Sequence, residues 1–265
     1  MSRPRLVDTH CHLDDGEFDS DRIAVLQRAR ANGVSDIVVP AIDAATWPRL
    51  RAACAGDAGL HAAYGLHPLY LAAHRPQHLV ELRGWIERER PVAVGECGLD
   101  FFVAGLDRDA QLGWFDAQLR IARDADLPVI VHARRAVDAV IAAIRKVGGL
   151  RGVVHSFAGS AQQAAQLAEQ GFLVGLGGPL TYPRAARLRR LAAALPLEQL
   201  LLETDGPDQP DADHRGERNE PAHLPAVART IAELRDDTTD HVATVTTLNA
   251  CRVFGLPTGA VAAVD

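Results

Sequence analysis

"LVDTHCH", residues 6–12, joins a short apolar run to two histidines that are separated by a single residue. The apolar residues are typical of a β-strand, and successive side chains of a strand point to opposite faces. His10 and His12 are therefore expected on one face, with Cys11 on the other. One metal ion could contact both imidazoles, although two hydrogen-bonded histidines at the end of a sheet would give the same pattern.

Short apolar runs of this type alternate with amphipathic stretches along the whole chain. Runs that are apolar nearly throughout are typical of parallel strands covered on both faces, and each strand-and-helix unit spans roughly 30 residues. The sequence therefore predicts an α/β fold, a TIM-like (β/α)8 barrel, as a single domain over residues 1–265. The eight predicted strands lie within residues 5–11, 34–42, 60–68, 91–100, 127–133, 151–157, 171–178 and 199–207.

The alternative architecture is an open, doubly wound sheet, which favours a glycine-rich dinucleotide fingerprint. The best candidate is "GLGGPL", residues 175–180, but Leu180 stands where the third glycine of that fingerprint belongs. The barrel is therefore preferred.

Composition and charge limit the possible functions. The chain carries 28 basic and 34 acidic residues, a net charge of −6, which argues against a broad basic face that grips nucleic acid. Its four cysteines form no CxxC pair. We find no signal region and no apolar run of about 18 residues, so we expect a cytoplasmic protein without a membrane span. The sequence indicates no obligate protein partner.

Polar residues capable of binding metals follow most of the apolar runs. The carboxyl ends of barrel strands converge on one face, where active sites lie. A hydrogen-bonded buried imidazole would explain any single histidine, but not the whole set, which would be costly to bury without a cation. Six such ligands suit two divalent ions, with Glu96 as the natural bridge. The predicted ligands are His10, His12, Glu96, His132, His155 and Asp205.

Several stretches together resemble the TatD-type metal-dependent hydrolases, a branch of the amidohydrolase superfamily. The resemblance runs from "DTHCHLD" to "NACRVFGL" and covers almost the whole chain. It is carried by "DTHCHL", "GLHP", "VGECGLDF", "PVIVHARRA", "VVHSFAG", "LGGPLTYP", "LLLETDGP" and "RGERNEP".

The resemblance implies a TIM barrel and a divalent-metal-dependent deoxyribonuclease, often a 3′→5′ exonuclease. Some members of the family instead remove D-amino acids from charged tRNA. Carried over by position, the family's metal ligands fall on the six residues that the strand ends already indicate. Lys146, the only lysine, lies in a helical stretch, so a carbamylated-lysine bridge is disfavoured.

Two of these residues are predicted to act in catalysis. Asp205 would orient the attacking water and accept its proton, and Glu96 would bridge the two ions. Four imidazoles favour Zn²⁺ or Mn²⁺, while the family resemblance also admits Mg²⁺, so the sequence leaves the metal open.

Several other residues are candidates for contacting substrate. His67 resembles the family histidine thought to contact phosphate, although it could instead shape its loop. Arg134 could reach phosphate or an acidic partner, since a guanidinium suits either. Phe101 and Phe102 could stack on a nucleobase or lie in the core. Arg215, Arg218 and Asn219, after the eighth strand, could bind phosphate or be surface residues.

The loop after the eighth strand is acidic where relatives are apolar or basic, as in "DQPDAD" and at Glu217. This acidity should weaken the attraction of polyanions. DNA and tRNA are the expected substrates. Three functions stay open: a DNA phosphodiesterase, a D-aminoacyl-tRNA deacylase and a catalytically idle metal-binding protein.

Overall fold

The computed structural model describes residues 5–258 of the chain. Each of the eight predicted runs contains one strand. The strands are β1 (Leu6–Asp8), β2 (Val34–Pro40), β3 (Leu60–Tyr64), β4 (Ala93–Asp100), β5 (Val129–Arg134), β6 (Gly152–Val154), β7 (Phe172–Leu176) and β8 (Leu200–Leu202).

Helices alternate with the strands, and the last strand is followed by two. Within residues 5–258 the α-helices are α1 (Arg22–Ala31), α2 (Trp47–Cys54), α3 (Pro76–Glu89), α4 (Arg108–Asp124), α5 (Val137–Val147), α6 (Ala161–Ala168), α7 (Ala186–Ala194), α8 (Leu224–Arg235) and α9 (Thr239–Phe254). No helix in this range is both long and apolar enough to cross a bilayer.

The strands form one sheet in which the spatial order follows the chain order, β1 to β8. Pairing is parallel, and Gly98 of β4 lies opposite His132 of β5. Hydrogen bonds also join the two ends of the sheet: Thr9 N donates to Leu202 O at 3.0 Å and Asp205 N to His10 O at 2.8 Å. The sheet is thus a nearly closed barrel, and the predicted TIM-like (β/α)8 fold is confirmed.

The chain divides into two compact units. The first comprises the residues up to Val38 and from Gly175 onward, and it contains β1, β8, α1 and α7–α9. The second, Val39–Val174, contains β3–β6 and α2–α6.

Strand β4 is buried along its entire length, including the carboxylates of Glu96 and Asp100. Burying a charged group is costly unless it is paired or binds a cation. Glu96 and Asp100 are therefore each expected to have a hydrogen-bonding or cationic partner.

Helix α4 carries the predicted apolar stripe, with Phe115, Leu119 and Ala122 buried. Gln111 and Gln118 are buried beside them, at 1% and 0% exposed. The apolar periodicity gives no indication that two polar side chains share this face.

Candidate metal centre

Each predicted metal ligand lies in a strand or shortly after its end. Glu96 and His132 lie within β4 and β5, and His155 follows β6 directly. His10 and His12 were expected at the end of the first strand, but β1 ends earlier, at Asp8. The backbone after β1 nevertheless keeps alternating its partners, because Thr9 N bonds to Leu202 O while Cys11 N bonds to Val38 O.

In the first unit, two imidazoles and one carboxylate come together. Nε2 of His10 lies 3.3 Å from Nε2 of His12, and the rings meet edge to face. Oδ1 of Asp205 lies 3.5 Å from the His10 nitrogen and 3.8 Å from the His12 nitrogen. His10 is fully buried, whereas 9% of Asp205 is exposed. The three side chains present their donor atoms to one small volume.

Local backbone contacts hold this group in place. The His10 carbonyl accepts from Asp205 N, and Gly206 O accepts from His12 N. Asp205 has a φ of 58°, a left-handed conformation that is uncommon for a non-glycine residue and recurs at functional sites.

Asp8 fixes the backbone beside this group through hydrogen bonds. Its carboxylate accepts hydrogen bonds from the amides of His10 and Thr204 and from the Thr204 hydroxyl. Burial raises the pKa of Asp8 to about 7, although these hydrogen bonds oppose the shift.

In the second unit, three imidazoles surround one carboxylate oxygen. Oε1 of Glu96 lies 2.7 Å from His155 Nε2 and 3.1 Å from both His132 Nδ1 and His67 Nε2. Nδ1 of His132 is also 3.3 Å from Nε2 of His155. Glu96 is 1% exposed, so this crowded polar group lies in a largely dry environment.

Asp100 completes the environment of His132. Its Oδ2 lies 3.0 Å from His132 Nε2, so the ring donates to Asp100 through Nε2, and Nδ1, 3.1 Å from Glu96 Oε1, is the ring nitrogen that faces the candidate centre. Burial raises the pKa of Asp100, but the hydrogen bonds from His132 and from the amides of Val103 and Phe102 outweigh it and lower this pKa to about 2. A carboxylate behind an imidazole is the usual support for a metal-binding histidine.

Two glutamines of α4 fix the backbone near this group. Gln118 pairs with both the amide and the carbonyl of Leu66, the residue before His67. Gln111 pairs in the same way with Asp100. Sequence reasoning missed Asp100 and both glutamines, because a polar residue inside an apolar pattern has no periodicity of its own.

The donor groups fit divalent ions. Two ligand atoms that each lie about 2.0–2.1 Å from one tetrahedral ion are about 3.3 Å apart. The pair His10–His12 and the pair His132–His155 both have nitrogens 3.3 Å apart. Imidazole and carboxylate donors together are typical of sites for zinc and related divalent metals.

His67 has a different geometry from the predicted ligands. Its Nδ1 accepts from the amide of Leu69 at 3.2 Å, so in the neutral ring the proton lies on Nε2 and points to Glu96. It is 6% exposed. This geometry supports a role in shaping the loop and holding Glu96, and its contact with substrate stays a prediction.

Arg134 ends β5 and is exposed. Its guanidinium carbon lies 3.8 Å from the ring centre of Phe102, and that of Arg135 lies 4.6 Å away. Phe102 is 45% exposed, so the interpretation of this residue as core is wrong. Phe101 is half-buried, with Arg108 over its ring.

The loop after β8 is held by its own polar contacts. Arg218 pairs with Asp21 through two hydrogen bonds of 2.9 and 2.7 Å and covers the ring of Phe18. Asn219 is buried and donates to the carbonyl of Thr204, while Arg215 is exposed. Arg218 and Asn219 therefore stabilise this loop.

The same loop contains a second set of potential metal ligands, Asp211, His214 and His223. The two rings stack with centroids 3.6 Å apart and an angle of 8°. The nitrogen lone pairs of an imidazole lie in the plane of its ring. In two stacked, nearly parallel rings these lone pairs do not point at a common position, so the observed geometry does not form a site for one ion. Asp211 instead accepts from His214 Nδ1 at 2.9 Å, which ties the turn together.

Comparison with known proteins gives consistent results. The family model described as TatD related DNase matches residues 7–255. The chain is 41% identical over 256 residues to YjjV of Escherichia coli K12, an uncharacterized metal-dependent hydrolase, and the match covers 96% of this chain and 99% of that protein. It is 32% identical to the 3′-5′ ssDNA/RNA exonuclease TatD of Erwinia amylovora, over 95% of this chain and 100% of that protein.

Solved structures show the same similarity. The crystal structure of E. coli YjjV, a TatD homologue, superposes with a TM-score of 0.92 and covers 96% of this chain and 99% of its own. A TatD-family hydrolase from Entamoeba histolytica, 21% identical, superposes with a TM-score of 0.85 and shares the fold.

Proposed function

Because this chain belongs to the family of TatD-related DNases, we propose that it hydrolyses phosphodiester bonds of DNA, as a divalent-metal-dependent 3′→5′ exodeoxyribonuclease. The observation that carries the proposal is the convergence of donor atoms. One carboxylate oxygen of Glu96 lies within 3.1 Å of three imidazole nitrogens, and His10, His12 and Asp205 form a second group of donors.

The proposed centre holds two divalent ions at the carboxyl ends of the strands, the face that carries active sites in this fold. When bound, such ions activate water for attack and neutralise charge on phosphate oxygens. The proposed ligands are His10, His12, Glu96, His132, His155 and Asp205. Manganese and zinc suit this donor set better than magnesium does.

The protein's own groups have distinct roles in this proposal. Asp205 remains 9% exposed beside two buried or half-buried imidazoles, so it can face an incoming water, orient it and accept its proton. Glu96 has three neighbouring imidazoles and would serve as the ligand shared by the two ions. Asp100 holds the ring of His132 with Nδ1 facing the centre. His67 and Arg134 are the proposed substrate contacts, the latter through phosphate.

A panel of metals and substrates tests the proposal. Purified protein is stripped with a chelator, reloaded with Mg²⁺, Mn²⁺ or Zn²⁺, and assayed on 3′-labelled single-stranded DNA and on D-aminoacyl-tRNA. We expect metal-dependent release of nucleotides from the 3′ end of DNA. Ester cleavage of D-aminoacyl-tRNA alone would replace the nuclease with a deacylase, and inactivity with every metal would leave a metal-binding protein.

Asp205→Asn provides the matched variant, because it keeps the size of the side chain and removes its charge. We expect the rate to fall by about 10²–10⁴, the usual contribution of a general base, while circular dichroism stays unchanged. A folded variant that cleaves DNA at the wild-type rate would contradict the role of Asp205.

A further inference from the structure

Two neighbouring arginines beside the candidate centre share one exposed aromatic ring. The guanidinium carbons of Arg134 and Arg135 lie 3.8 and 4.6 Å from the ring centre of Phe102. Both arginines and Phe102 are exposed. Two like charges held at one ring repel each other, so the arrangement is favourable mainly when an anion lies between or beside them.

Neither arginine is neutralised by the protein. Within residues 5–258, the side chains of Arg134 and Arg135 form no salt bridge or side-chain hydrogen bond, and Phe102 is their common contact. Other arginines, such as Arg28 and Arg151, pair with carboxylates at 2.6 Å. The charges of Arg134 and Arg135 are therefore available to an anion.

The backbone of Arg135 supports a specific use of its side chain. Its φ of 54° is left-handed, a conformation that glycine and asparagine adopt more readily than arginine. Such a conformation costs of order 1–3 kcal/mol and is retained mostly at functional sites. Arg135 lies at the bend that follows β5, and its side chain reaches the same ring as that of Arg134.

Hydrogen bonds to Asp100 connect the backbone of Phe102 to the candidate centre. Oδ1 of Asp100 accepts from the amides of Phe102 and Val103, at 2.9 and 3.0 Å. Oδ2 of the same carboxylate binds His132, which faces Glu96. His132 and Arg134 are two residues apart in β5 and therefore lie on one face of the sheet.

We propose that Phe102, Arg134 and Arg135 form a clamp for a second phosphate of the DNA strand, one that is not cleaved. This inference rests on the proposed nuclease function. Arg134 and Arg135 bind the phosphate oxygens, and Phe102 holds the two guanidiniums beside its ring. The clamp makes the enzyme prefer chains of several nucleotides over a diester with a single phosphate.

Two substrates separate the clamp from the reacting centre. Bis(p-nitrophenyl) phosphate has one phosphate, which must occupy the reacting position, whereas a single-stranded oligodeoxynucleotide also fills the clamp. The variants are Arg135→Asn, which tolerates the left-handed backbone, and Phe102→Leu at an exposed position. Arg88→Ala is the control, because Arg88 also stacks on an aromatic ring, Trp85 at 4.4 Å, but lies on α3.

We expect both clamp variants to lower the ratio of kcat/KM for the oligonucleotide to that for the small diester. The loss of one charge-assisted contact predicts a roughly tenfold fall for Arg135→Asn. Binding of the oligonucleotide is measured by fluorescence anisotropy at several salt concentrations, in the Asp205→Asn background. The slope of log K against log salt concentration should become shallower by about 0.7 when Arg135 is replaced. Arg88→Ala should change neither quantity.

Other results would overturn the clamp. An equal fall on both substrates would place Arg135 at the reacting centre, and an unchanged salt slope would remove the phosphate contact. A change in discrimination among bases, with the salt slope intact, would make Phe102 a platform for nucleobases instead. Wild-type protein that cleaves neither substrate would reject the nuclease function itself, which distinguishes the two failures.

Discussion

At the scale of single residues, the feature that most clearly separates this site from an ordinary buried histidine is Asp100. Its carboxylate binds His132 Nε2 through one oxygen and two backbone amides through the other. Because these contacts lower the pKa of Asp100 to about 2, the carboxylate is ionised at any pH near neutrality. An ionised Asp100 keeps a proton on Nε2 of His132, so Nδ1 is the ring nitrogen that would bind a metal.

Asp100→Asn should weaken metal binding without unfolding the protein. An amide can still accept the two backbone hydrogen bonds, but its NH2 group would then face the Nε2 proton of His132. We expect metal affinity to fall by about 10–100-fold, the usual effect of losing such a partner. Competition with a chromophoric chelator measures the affinity directly.

The control for this variant is Asp107→Asn. Asp107 also accepts two backbone hydrogen bonds, from Asp109 and Ala110, but at the start of α4 and without a histidine. Asparagine is as good as aspartate in that capping position, so metal binding should be unaffected. Equal affinities of the Asp100 variant and the wild type would mean that the tautomer of His132 is fixed in another way.

At the scale of strands and helices, the sequence predicted the order of elements and the residues at the strand ends. Apolar β-type runs are a strong signal when both faces of a strand are buried, as in β4. The exact ends were less predictable: β1 stops at Asp8, before the histidines, and β5 continues to Arg134. Strand ends depend on hydrogen bonds to neighbouring segments, which a local pattern does not contain.

The supporting residues were not predictable for the same reason. Gln111 and Gln118 lie on the buried face of α4, where periodicity predicts apolar side chains. Each glutamine matches the amide and the carbonyl of a single residue at a strand end. Such a contact is specified only after the helix has packed on the sheet.

Gln118→Leu tests the importance of this contact between helix and strand. Leucine has a similar volume but leaves the amide and the carbonyl of Leu66 buried without their partner. At about 1–3 kcal/mol for each of these two unsatisfied groups, we expect the free energy of unfolding to fall by about 2–6 kcal/mol. Urea denaturation gives this value, and Gln162→Leu, an exposed position on α6, should change it by less than about 0.5 kcal/mol. A similar small change in both variants would show that the backbone of Leu66 finds other partners.

At the scale of the whole molecule, the charge distribution is informative. With a net charge of −6, the chain does not attract polyanions over its entire surface. Many of its arginines are neutralised by nearby carboxylates, as in the pair Arg5–Asp36 and in the contact of Arg218 with Asp21. The proposed ions and the arginines beside Phe102, which pair with no carboxylate, are the places near the candidate centre where DNA would be attracted.

Metal binding should also stabilise the entire fold. A ligand that binds only the folded protein adds about 2.7 kcal/mol when its free concentration is 100 times its Kd. For a chain of 265 residues this corresponds to a rise in Tm of about 5–10 °C. Differential scanning calorimetry of protein stripped by a chelator and then reloaded with Mn²⁺ or Zn²⁺ measures the shift without any assay of activity. Glu96→Gln, which keeps the size of the proposed bridging residue and removes its charge, should lose most of that shift. If the variant and the wild type showed the same rise in Tm on reloading, the ions would bind elsewhere and Glu96 would not be their shared ligand.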